Sequence, residues 1–154
     1  MRKLQLLVAC LILSGMAACS DDDDKSKVNG NATAVANNLK SGTWRITNFV
    51  EDNDDHTSDF TGYDFTFGTN NVLTATNGTN VYTGTWSVID DNSMDDDDDS
   101  FDSDIDVNIG FASPAEFADL TDDWDVAERT GTRIKLVDVS GGNGGTDYLT
   151  FEKN

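Results

Sequence analysis

Residues 101–111, with the sequence FDSDIDVNIGF, alternate between two sets of side chains. The odd-numbered positions are apolar apart from Ser103, and the even-numbered positions are Asp, Asn or Gly. Successive side chains of a β-strand point to opposite faces. The stretch therefore predicts a strand with one buried face, containing Ile105 and Val107, and one wet, acidic face, containing Asp104 and Asp106.

Seven further segments show the same alternation or a short β-branched run. They are residues 44–47, 63–67, 72–76, 82–88, 124–129, 133–139 and 148–151. Turn-forming pairs such as Asn77-Gly78 and Thr130-Gly131 separate neighbouring segments. Eight short strands joined by tight turns predict an all-β fold, either an antiparallel meander closed into a barrel or a sandwich.

One segment of the same region has helical signals instead. In Ser113-Pro114-Ala115-Glu116, Ser113 suits the N-cap, Pro114 suits the first helical position, and Glu116 completes a capping box. We expect one short helix over residues 114–120.

The charge of the chain excludes some classes of partner. The sequence contains 29 acidic and 10 basic residues, for a formal net charge of −19. Phosphate backbones and anionic bilayers repel such a surface. We therefore expect no nucleic-acid partner, and any membrane association must come from an anchor rather than from the protein surface.

The N-terminus reads as a signal peptide over residues 1–18. Arg2 and Lys3 precede a short apolar core, and small residues follow it. Met16-Ala17-Ala18-Cys19 resembles a bacterial lipobox, and this resemblance implies diacylglyceryl transfer to the Cys19 thiol and cleavage before Cys19. The alternative is an ordinary signal peptide in which Cys19 is incidental. If Cys19 is acylated and Cys10 leaves with the leader, disulfides, thiolate metal sites and cysteine nucleophiles are excluded.

An acidic run follows the predicted lipidation site. Its residues are Ser20, Asp21, Asp22, Asp23 and Asp24. The run resembles the export signal of surface-exposed lipoproteins of the Bacteroidota, which implies an outer-membrane protein facing the cell exterior. A solvated acidic spacer, or a periplasm-facing anchor, is the alternative. We expect residues 19–38 to form a flexible acidic tether and residues 39–154 to form the folded domain.

Several strand motifs together resemble the lipocalin-like β-barrels of Bacteroidota lipoproteins. They are Gly42-Thr43-Trp44, residues 63–67, residues 84–88, residues 123–126 and residues 149–153. The resemblance implies an eight-stranded up-and-down barrel that can hold one small ligand. Lipocalins usually place an arginine over the first-strand tryptophan, whereas the last strand here offers Lys153. Many of the inward positions are aromatic, which favours a filled core.

Candidate chemistry is sparse. His56, the single histidine, lies in a polar loop without an evident nucleophile or second ligand, so we interpret it as a solvated loop residue. We assign no catalytic residue. Asp90, Asp91, Asn92 and Asp95 are hard oxygen donors that could bind calcium, although the run lacks EF-hand spacing and is also typical of an acidic loop.

These observations lead to one functional hypothesis and two alternatives. The hypothesis is a non-enzymatic cell-envelope lipoprotein without a cofactor, anchored by its N-terminal lipid, whose barrel binds a small apolar or amphipathic ligand or an envelope protein. The first alternative is a calcium-dependent surface interaction or adhesion module. The second is a hydrolase acting on external polymer.

Overall fold

The computed structural model describes residues 32–90, 105–139 and 145–154. Two α-helices, nine β-strands and two short 3-10 turns make up these segments. In chain order they are α1 (Ala32–Leu39), β1 (Trp44–Glu51), β2 (Asp54–Asp55), a 3-10 turn (Thr57–Phe60), β3 (Asp64–Phe67), a 3-10 turn (Thr69–Asn71), β4 (Val72–Thr76), β5 (Val81–Asp90), β6 (Ile105–Gly110), α2 (Ala115–Ala118), β7 (Asp122–Arg129), β8 (Arg133–Val139) and β9 (Thr146–Lys153).

The strands form a closed antiparallel barrel. Neighbours in sequence pair from β3 through β9, β9 pairs with β1, and β1 pairs with β3. The predicted all-β, eight-stranded up-and-down barrel is therefore confirmed. The two-residue strand β2, which sequence analysis missed, extends β1 as an edge hairpin. We call the end of the barrel at Trp44 the lower end and the end at Glu51 the upper end.

In residues 105–110 the alternation of apolar and polar residues matches the observed burial of their side chains, as expected. Ile105, Val107 and Ile109 are buried, whereas Asp106 and Asn108 are half-buried on the other face. β6 pairs with β5 and β7, so its apolar face lies toward the interior of the closed sheet. The first four residues of the 101–111 motif lie outside the described residues.

The β1–β3 seam is closed by few strand contacts. A single pair, Trp44 with Phe65, joins the two strands. Above it, the segment after β2 supplies hydrogen bonds in place of a strand. The backbone N–H of Phe49 donates to Thr57 Oγ1 at 2.8 Å, and the N–H of His56 donates to the carbonyl oxygen of Phe49 at 2.9 Å.

Helix α1 covers the lower end of the barrel. Its side chains Val35 and Leu39 are completely buried, so the packed body includes this helix as well as the strands. Trp44 Nε1 donates to the carbonyl oxygen of Leu39 at 2.8 Å, which ties the helix to the first strand. Lys153 Nζ lies 5.0 Å from the centroid of the Trp44 ring, so a lysine covers the first-strand tryptophan in a cation–π contact.

The start of helix α2 differs from the prediction. The capping-box interpretation is wrong, because Pro114 rather than Ser113 occupies the N-cap, and no side chain of the described residues caps the helix. The carbonyl oxygen of Pro114 accepts from the N–H groups of Phe117 and Ala118, and the helix ends at Ala118. The extended backbone of Pro114 explains the shift, since the chain turns helical only after it. The expected short helix within residues 114–120 is present.

Gly84 provides a test of how tightly the barrel wall is packed. A Cβ atom at this position would lie 2.3 Å from the carbonyl oxygen of Gly110 and 2.8 Å from the Phe111 ring. We expect Gly84→Ala to lower the unfolding free energy by about 1–3 kcal/mol, the usual cost of overpacking. Gly131→Ala is the matched control, because nothing lies within 4 Å of its Cβ position. Equal thermal midpoints for the two variants would contradict this packing.

Candidate functional site

The interior of the barrel is filled by its own side chains. Aromatic rings meet across it, including Phe49 with Trp124, Phe65 with Phe151, and Phe67 with Phe151, at centroid distances of 5.4–6.3 Å. Within the described segments, every residue buried in the core is apolar. Buried indole groups are satisfied locally, since Trp124 Nε1 donates to the carbonyl oxygen of Leu120 at 3.1 Å. A ligand in this interior would have to displace packed rings, which is costly at native packing density.

The upper end of the barrel is also closed. Phe117 of α2 packs against Phe60, Tyr63, Tyr82 and Phe111, with centroid distances of 4.7–5.3 Å. Offset and edge-to-face contacts of this kind stabilise aromatic clusters beyond simple burial. The cluster lies over the upper mouth, so in the part of the chain that the structure describes neither end of the barrel presents an open path to the core.

Carboxylates surround this upper mouth. Burial raises the pKa of Glu51, and the charges of Asp119 and Asp147 raise it further. Burial likewise raises the pKa of Asp122, with a smaller contribution from the nearby charge of Asp138. Among the residues described, no group of three or more His, Cys, Asp or Glu side chains is arranged to hold a metal ion.

The raised pKa of Glu51 predicts the sign of a stability change. A carboxyl whose pKa is higher in the folded state costs stability once pH rises through that folded pKa. We therefore expect Glu51→Gln to raise the thermal midpoint at pH 7 by a few degrees, corresponding to less than about 1 kcal/mol for this solvent-screened group. The gain should disappear as pH falls to about 3, where the carboxyl is neutral in both states.

Glu128 should behave in the opposite way. Hydrogen bonds from Lys135 and Arg133 lower the pKa of Glu128, so its contribution is present above its unfolded pKa and is lost as pH falls through the folded pKa. Glu128→Gln should therefore lower the thermal midpoint at pH 7. Thermal unfolding of both variants from about pH 3 to 7 checks the pair, and shifts of the same sign at pH 7 would refute this electrostatic account.

The outer wall of the barrel carries a groove across β1, β9, β8 and the bulged part of β7, with a volume of 690 Å³. Strand register arranges its floor in rows. In the middle row, Tyr148 pairs with Val50 on one side and with Val137 on the other. Above it, Val139 pairs with Thr146. The centre of this outer groove is therefore apolar, on a wall that alternation would make polar.

The lower row of the outer groove is polar. Thr150 pairs with Asn48 on β1 and with Lys135 on β8. Ala127 lines the groove from β7. Within the described segments, ten residues line the groove, and one of them, Lys135, is charged. The site thus has an apolar centre with a cation and neutral hydrogen-bonding groups along one edge.

Two β-bulges shape the outer groove. The register shifts between Ile46 and Asn48 in β1, and between Val126 and Glu128 in β7. Bulges bend a strand and increase its local twist, and these two lie on either side of β8 and β9, whose register is uninterrupted. Val137 is only 7% exposed although it lies outside the core cluster, so its neighbours on the outer wall cover most of it.

A group of three charges lies beside the polar row. Lys135 Nζ is 2.9 Å from Glu128 Oε2, and Arg133 Nε donates to Glu128 Oε1 at 3.0 Å. One carboxylate is therefore shared by two cations. The trio keeps a net positive charge on a chain whose formal net charge is −19.

Most of the site residues expected from sequence lie outside the segments that the structure describes. Cys19, Ser20 and Asp21–Asp24 lie outside the described residues, and so do Asp91, Asn92 and Asp95. Asp90 ends β5 as an exposed residue. His56 is partly exposed in its loop, where its Nδ1 lies 3.7 Å from Asp59 Oδ2 and its ring stands 5.9 Å from the Phe49 ring.

Comparison with known proteins adds no relative. No protein-family model matches the chain, and neither a curated protein nor a solved structure matches it. The fold defines the class: a closed, eight-stranded, up-and-down antiparallel barrel with a helix over each end. In the part of the chain that the structure describes, no helix is both long and apolar enough to span a bilayer.

Proposed function

We propose that this chain is a lipid-anchored cell-envelope protein whose barrel binds a small amphipathic ligand in the outer groove. One observation carries the proposal: the interior is packed with aromatic side chains, while the outer wall presents an apolar floor beside a polar row. The volume of 690 Å³ lies within the range of about 300–1,000 Å³ that is usual for small-molecule sites. The apolar floor suits the tail of such a ligand, and the polar row suits its head.

The exposed apolar side chains support binding at this surface. Val139 is 62% exposed and Tyr148 is 49% exposed, and both lie in the outer groove. Isolated apolar residues on a surface need no explanation, but a contiguous set in a concavity is typical of a binding site. Burying them against a ligand would stabilise the complex by about 25 cal/mol per Å² of apolar surface.

The experiment is a fluorescence titration with Nile red, a neutral apolar dye. We expect the wild-type protein to enhance its emission and the Val139→Ser, Tyr148→Ser double variant to bind at least about tenfold more weakly, which corresponds to about 1.4 kcal/mol. Both side chains are exposed, so the variant should keep its fold. Val81→Ser is the control, because Val81 is 64% exposed and lies outside the groove. Equal losses of Nile red affinity in the double variant and in Val81→Ser would contradict the proposal.

The anchor is part of the same proposal. Met16-Ala17-Ala18-Cys19 supports lipid attachment at Cys19, and the run Ser20–Asp24 supports display on the outer face of the outer membrane. Two or three acyl chains on one residue hold a protein firmly, whereas a single chain holds it marginally. An anchored barrel would present its outer wall to ligands or envelope proteins near the membrane.

A further inference from the structure

We infer that the ligand of the outer groove is a single-chain amphiphile with a carboxylate head group, held with its head at Lys135 and its tail along Tyr148, Val137 and Val139. This inference rests on the proposed function and adds the chemistry of the head group. The occupant is a free amphiphile rather than a bilayer surface, because a chain of net charge −19 is repelled by the extended charge of an anionic membrane, whereas a single carboxylate can meet the local positive charge of Lys135 and Arg133.

Charge complementarity carries the inference. Among the described residues that line the groove, Lys135 is the single charged one. Its partner Glu128 is already bonded to Arg133, so an arriving carboxylate can share Lys135 without leaving Glu128 unpaired. The Lys135 side chain remains 45% accessible, which leaves room for a second acceptor. A cationic head group would instead meet a net positive trio at this point.

The strand register sets the direction of the ligand. Lys135, Val137 and Val139 follow one another on the outer face of β8, beside Thr150, Tyr148 and Thr146 of β9. Four residues of extended strand span about 13 Å, so the apolar rows can take a chain of medium length. Thr150 lies beside Lys135 in the polar row and Asn48 lies next to Thr150, so both can offer hydrogen bonds to the second carboxylate oxygen.

The test compares three probes with the same alkyl tail: decanoate, decanol and decyltrimethylammonium. Calorimetric titration of the whole protein, below the micellar concentration of each probe, should give the highest affinity for decanoate. Lys135→Gln should lower the affinity for decanoate about tenfold and leave the affinity for decanol unchanged. Lys40→Gln is the matched control, since it removes the same charge from an exposed residue at the end of α1, outside the groove.

Each outcome separates the inference from the proposed function. If decanol and decanoate bind equally, Lys135→Gln changes neither, and Tyr148→Ser weakens both, the outer groove is the site but the carboxylate preference is wrong. If decanoate binds and neither Lys135→Gln nor Tyr148→Ser affects it, binding lies elsewhere and both claims fail. If none of the probes binds, both claims fail as well.

Discussion

Val107→Asp is expected to abolish the cooperative unfolding transition of the protein. Val107 is completely buried on β6, between Val88 of β5 and Trp124 of β7. A carboxylate there must be protonated or must remain charged without water, and either state costs several kcal/mol. Losing the valine contacts adds to that cost. The sum approaches the entire stability of a small domain, about 5–15 kcal/mol.

Thr83→Asp is the matched control for this substitution. Thr83 is exposed on the outer face of β5, and its neighbour Thr74 on β4 faces the same way. An added surface carboxylate should change stability by less than about 1 kcal/mol. Circular dichroism during heating compares the unfolding transitions of the two variants. Similar small shifts would show that alternation does not report burial, and the assignment of the barrel interior would fall.

Cys19→Ala is expected to move the protein from the membrane fraction to the soluble fraction. In the proposed anchor the acyl chains depend on the Cys19 thiol, so its removal should also remove the attachment to the membrane. The strongly acidic surface adds no attraction to anionic lipids. Labelling with radioactive palmitate should disappear together with membrane association.

The other cysteine is the natural control. Cys10 lies in the apolar core of the predicted signal peptide, so Cys10→Ala should leave both labelling and fractionation unchanged. A variant with Asp21–Asp24 replaced by alanine should still be lipidated. On intact cells, however, externally added protease should cleave this variant less than the wild-type protein. Retained membrane association in Cys19→Ala would contradict the lipobox interpretation, and unchanged protease access would leave the acidic run as a spacer.

The fold could be predicted from sequence because closed antiparallel sheets bury one face of each strand. Ile105, Val107 and Ile109 show period two clearly, and the Asn77-Gly78 turn forms as expected, with Asn77 Oδ1 accepting from Asn80 N at 2.7 Å. The strand β2 was missed because two polar residues carry no periodicity. The prediction of Ser113 as the N-cap was wrong because Ser113 precedes a proline whose extended backbone displaces the start of the helix.

The outer groove was not predictable in the same way. It depends on two bulges, in β1 and β7, and a bulge changes which face a side chain takes without changing the composition of its strand. A partial signal exists in β8, where Leu136 and Val137 are adjacent apolar residues in a strand that otherwise alternates. Leu136 faces the core, so Val137 must lie on the outside. This break in the alternation indicates an apolar side chain on the outer wall.

We propose that ligands bind on the outer wall of the barrel and not in its interior. The most direct measurement is a methyl spectrum of valine-labelled protein during titration with Nile red. We expect the methyl signals of Val50, Val137 and Val139 to shift, while those of the interior residues Val107 and Val126 stay in place. Shifts at Val107 and Val126 with unchanged signals from the outer valines would contradict it.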